Sequence, residues 1–66
     1  MDPNLNAAML ADLNAGKVKI EDASAKWASI KAQLPNPNDA SAQAMDADLS
    51  TALASTQAAI DKASAH

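Results

Sequence analysis

The stretch Leu10–Ala23, LADLNAGKVKIEDA, decides the fold. At its centre stands Gly16, the only glycine in a chain of 66 residues. Glycine is the usual residue past a helix end, because it tolerates a positive φ. Read in that way, Gly16 closes a first helix over about residues 3–15, and Lys17, Val18 and Lys19 form a link. A second helix then starts near Ile20 and runs to about residue 34. Lys19 is a poor N-cap, so nothing polar marks that start.

Working outward from this stretch, the first helix opens on Asp2-Pro3-Asn4. An acceptor side chain precedes a proline whose missing N–H would have no helical partner anyway. Leu5, Met9 and Leu13 then recur four apart. Downstream, Ile20, Ala23, Trp27, Ile30 and Leu34 fall on one helical face at spacings of three and four. Leu34-Pro35 ends that face, since the residue before a proline avoids the α region. Asn36-Pro37-Asn38-Asp39 repeats the opening device, which predicts a third helix over about residues 37–64. There Met45, Leu49, Ala52, Thr56, Ala59 and Ala63 make an apolar row, with Leu53 and Ile60 beside it. Gln43, Asp46, Ser50, Gln57, Asp61 and Ser64 form the opposite strip. The expected fold is all-α and a single domain over residues 1–66. It is a three-helix bundle, or a helical hairpin plus one long C-terminal helix.

Composition narrows the function. Alanine fills 18 positions and large apolar residues are few. Alanine favours helix at no side-chain entropy cost but buries little area, so the core must be thin. There is no phenylalanine, tyrosine, arginine or cysteine. Disulfides and thiolate metal sites are therefore excluded, and sheet formation is disfavoured. Net charge is −3, from five lysines against eight acids. Phosphate backbones and anionic membranes call for clustered basic residues, so neither nucleic acid nor membrane is expected as a partner. No apolar run approaches the roughly 20 residues that span a bilayer. Met1-Asp2-Pro3-Asn4 lacks the basic and apolar regions of a signal peptide, so a cytoplasmic or virion protein is expected, although a processed secreted chain carrying a new Met1 would look the same. Charge divides by segment: residues 1–16 are acidic, residues 17–34 basic, and residues 35–66 acidic again. The basic segment suits packing between the other two, although exposed ion pairs contribute only about 0–1 kcal/mol each.

Catalytic chemistry finds no foothold. His66 is the only histidine and the last residue, whereas a general base needs a fixed position. Asp46 and Asp48 are two apart, so a helix turns them about 200° from one another and they cannot share an ion. One glycine cannot make a phosphate loop. The expectation is a non-enzymatic protein with no cofactor and no metal.

Leu10–Ala23 resembles a bacterial helical-hairpin pattern shared by short oligomerisation modules and the terminal helices of some extracellular solute receptors. In that pattern a helix ends at Gly-Lys, here Gly16-Lys17. A β-branched residue such as Val18 enters the core, and acids such as Glu21 and Asp22 open the next helix. The resemblance implies a turn at residues 16–19 and assigns no functional residue.

Helix lengths carry the functional expectation. A helix over residues 37–64 spans roughly 40 Å, against about 20 Å for each earlier one. Its second half would then keep an apolar stripe that this chain cannot cover. The expected partner-binding residues are Leu49, Leu53, Thr56, Ile60 and Ala63. Trp27 joins them as an aromatic anchor, although core packing is its default role. The partner is a protein or a second copy of the chain. The favoured reading is a small structural or assembly protein, one that decorates a larger particle such as a phage virion or self-associates through its C-terminal helix. The alternative is a small regulatory inhibitor or adaptor.

Overall fold

A computed structural model describes residues 2–65. Two α-helices, and no strand, occur among them. α1 runs over Pro3–Ala32 and α2 over Ala40–Ser64. They pack as an antiparallel hairpin joined by residues 33–39. The three-helix expectation is corrected: the first and second expected helices are one.

The helix starts follow from capping. The Asp2 carboxylate accepts from the backbone N–H of Asn4 at 2.8 Å and of Leu5 at 3.3 Å. Two otherwise unpaired donors are thereby satisfied. α2 begins three residues later than the sequence suggests. Its N-cap is Asp39, whose carboxylate accepts from the Ala42 N–H at 2.8 Å. Asn36 and Pro37 lie in the link instead. Pro37 is not the first residue of a helix, and Asn36 does not cap one.

Gly16 stands inside α1. It has no positive φ, and an added Cβ there would meet nothing within 4 Å. A glycine in a helix interior costs about 1 kcal/mol relative to alanine. One such cost does not end a helix when no proline follows and no polar cap opens the next. Continuation keeps every backbone hydrogen bond through Lys17–Lys19. It also gives the 25 residues of α2 a partner of matching length. The turn implied by the helical-hairpin resemblance is therefore absent at residues 16–19, and the chain reverses at residues 33–39.

The molecule is a slab one helix thick, with Cα extents of 51 × 16 × 11 Å. Each helix has a single neighbour, so almost nothing is covered from every direction. Among the described residues only Ala42, Ile60 and Ala63 are buried.

Candidate protein-binding face

The contacting residues of both helices alternate at spacings of four and three. On α1 they are Asn6, Leu10, Leu13, Lys17, Ile20, Ser24, Trp27, Lys31 and, just past its end, Leu34, all half-buried. On α2 they are Ala42, Asp46, Leu49, Leu53, Thr56, Ile60 and Ala63. Such a seven-residue repeat is the seam of a coiled-coil-like pair. It runs through Gly16 without a break in phase.

Polar groups fix the register of the seam. Asn6 Nδ2 donates to the Ala63 carbonyl at 3.1 Å. Lys17 Nζ donates to Gln57 Oε1 at 2.6 Å. Near the reversal, Asp46 receives two donors: Trp27 Nε1–H at 2.7 Å and Lys31 Nζ at 2.6 Å. These two bonds hold the Asp46 carboxyl below its usual pKa, the Lys31 contact more than the Trp27 one. Both favour the charged form and outweigh the smaller effect of burial. Asp46 and Gln57 were expected on the outer strip of the last helix, and the structure corrects that placement for both. A seam made of Met45, Leu49 and Ala52 would leave Leu53 and Ile60 outside. The observed seam is rotated so that Leu53 and Ile60 enter and Met45 leaves.

The six residues expected to bind a partner all line this seam. Ile60 and Ala63 are 8% and 3% exposed. Leu49, Leu53, Thr56 and Trp27 are half-buried, and Thr56 Oγ1 donates to the Ala52 carbonyl within its own helix. The premise behind their selection is overturned. The second half of the last helix is not an uncovered overhang, because α1 is long enough to lie along it.

The apolar surface lies elsewhere. One row beside the α1 seam repeats every seven residues as Met9, Gly16, Ala23 and Ile30. The matching row beside the α2 seam is Met45, Ala52 and Ala59. In an antiparallel pair, rows displaced the same way from each seam come out on the same broad side. That side carries Met9, Ile30 and Met45, which are 45%, 54% and 44% exposed. Trp27 and Leu34 open beside Met45 on this side. The opposite broad side carries Asn14, Glu21, Gln43, Ser50 and Gln57, together with the Lys17–Gln57 and Lys31–Asp46 bonds. The first side is thus the more apolar of the two; the other mixes these polar groups with the exposed Val18 and with Leu49 and Leu53 in a groove beside Trp27.

Sequence reading found the amphipathic pattern of each helix but missed Met9, Ile30 and Met45 as the exposed members. The unbroken spacing from Asn6 to Leu34 was the available signal. No group of three or more acidic or histidine side chains able to hold a metal ion occurs among the described residues. No helix among them is long and apolar enough to cross a membrane. His66 lies outside the described residues. No protein-family model matches the chain, and no curated protein or solved structure matches it.

Proposed function

We propose that this chain is a small structural or assembly element that works by binding protein through its apolar broad side. One observation carries the reading: the hairpin exposes more surface than a finished domain of its size. Its accessible area is 4702 Å² for 6.7 kDa. A compact monomer of that mass exposes about 3,900 Å². The excess of about 800 Å² equals one partner's share of a standard protein interface. Three of the five exposed large hydrophobic residues among the described ones, Met9, Ile30 and Met45, fall on one broad side, which supports an interaction surface there. The polar side, with its interhelical bonds, suits solvent.

A photo-reactive residue placed at Ile30 or at Val18 tests this, because both positions are 54% exposed but lie on opposite broad sides. In cells that make the protein, cross-links to protein are expected from position 30 and not from position 18. Equal yields from both, or none from position 30, would remove the basis for the proposal.

A further inference from the structure

We propose that the occupant of the apolar side is a second copy of this chain. Two hairpins then close face to face into a four-helix bundle about a two-fold axis parallel to the helices. The inference rests on the binding-face reading above and names its partner.

The area fits. If each copy covered an area equal to its excess of about 800 Å², the interface would total about 1,600 Å², the size typical of specific complexes. The relief fits as well. Gly16, Ala23, Ala52 and Ala59 keep the middle of the face low, while Met9, Ile30 and Met45 rise toward its ends. Open space above Gly16 lets a second helix approach closely.

The charges at the rim suit a second copy, and a single like-charge contact separates the two possible orientations. The outer edge of the face on α1 carries Asp12, Lys19 and Lys26, and on α2 it carries Asp48 and Lys62. All five are exposed. None takes part in the single ion pair among the described residues, Lys31–Asp46. The interhelical bonds from Asn6 to Ala63, Lys17 to Gln57 and Trp27 to Asp46 set the levels along the hairpin. They place Lys26 level with Asp48, and Asp12 within about one helical turn of Lys62. Within one copy these partners sit on opposite outer edges, with the whole face between them.

A two-fold axis along the helices keeps every level unchanged and lays α1 of one copy over α2 of the other. Lys26 then meets Asp48 of the second copy, and Asp12 meets its Lys62, each pair occurring twice by symmetry. Ile30 meets Met45 of the second copy in the same layer. Every neighbouring pair of helices in the bundle is antiparallel, the common arrangement of such bundles. The alternative axis, across the helices, would also set Asp12 against Lys26 and Asp48 against Lys62 of the second copy, but it would bring Lys19 against its own symmetry mate. Like charges that face each other are unfavourable.

The purified full-length chain is the material for the test, with sedimentation equilibrium and light scattering as the readout. The expected mass is twice 6.7 kDa. Ile30→Glu is expected to weaken the dimer at least about a hundredfold, because the change buries two unpaired carboxylates. Val18→Glu, at an equally exposed position on the polar side, is expected to leave it intact. Lys26→Glu is expected to weaken it about tenfold. Adding Asp48→Lys to that variant restores the affinity only if the two positions meet between copies. A purified chain that stays at 6.7 kDa up to millimolar concentration overturns the proposal, as do equal effects of Ile30→Glu and Val18→Glu. A Lys26→Glu, Asp48→Lys chain that stays weak overturns the orientation. If position 30 cross-links to a different protein in cells while the purified chain is monomeric, self-docking fails and the binding-face reading stands.

Discussion

Replacing Gly16 by alanine separates the observed hairpin from a three-helix chain by the sign of one number. At a C-terminal helix cap the residue takes a positive φ, and alanine there is strained and destabilising. In the hairpin Gly16 has no positive φ, and a Cβ would touch nothing within 4 Å. The substitution then removes the entropy cost of an unbranched backbone and adds no clash. The gain is about 0.8–1 kcal/mol. For a chain of this length the unfolding entropy is about 140 cal/mol/K, so that gain raises Tm by roughly 6–7 °C. Circular dichroism at 222 nm during thermal melting reads it directly. Dilute protein isolates the effect on the single hairpin from any effect on self-association. A fall in Tm would show that α1 is not continuous through Gly16. The shared length of the two helices, and with it the placement of the apolar side, would then fail.

Other consequences follow from the caps, the seam and the acidic node. Asp39→Ala should lower stability by about 1 kcal/mol in urea unfolding, because the Ala42 N–H loses its acceptor. Asn36→Ala should change stability by less than about half that; the reverse order would move the start of α2 back to Pro37. Ile60→Ala should cost about 2 kcal/mol, the low end for a buried isoleucine since its surroundings are thin. An effect near zero would mean that the second half of α2 is not covered by α1. Asp46 supplies a pH dependence whose sign is fixed by its lowered pKa. The unfolded chain takes up the Asp46 proton first as pH falls toward about 4, so the stabilisation is full above that value and is lost below it. The urea-midpoint gap between the native chain and Asp46→Asn should therefore be wide at pH 7 and narrow at pH 3. A gap of equal width at both would show that Lys31 and Trp27 do not favour the charged carboxylate.

Much of the helical content was legible locally. Asp2-Pro3 carries its own capping chemistry, so the start of α1 could be read without knowing what it packs against. Leu34-Pro35 likewise forces the chain out of helix within a few residues, whatever surrounds it. The all-α class follows from alanine-rich, nearly glycine-free composition, which acts residue by residue. The apolar periodicity around Met45–Ala63 was also legible, but only as a broad stripe. In an alanine-rich helix several neighbouring rows look equally apolar, so the row that becomes the seam is undetermined.

Tertiary structure decided what depended on a neighbour. Gly16 is compatible with either a cap or a helix interior, and the difference of about 1 kcal/mol is small beside the contacts that α2 makes along a continuous α1. Asp46 looks like an outer aspartate until Trp27 and Lys31 arrive from the other helix and draw it into the seam. Ile60 and Ala63 are exposed or buried according to the length of α1 alone. Met9, Ile30 and Met45 differ from the buried apolar residues only by the rotation of each helix about its axis. Side-chain packing across the seam sets that rotation, and no single segment contains it.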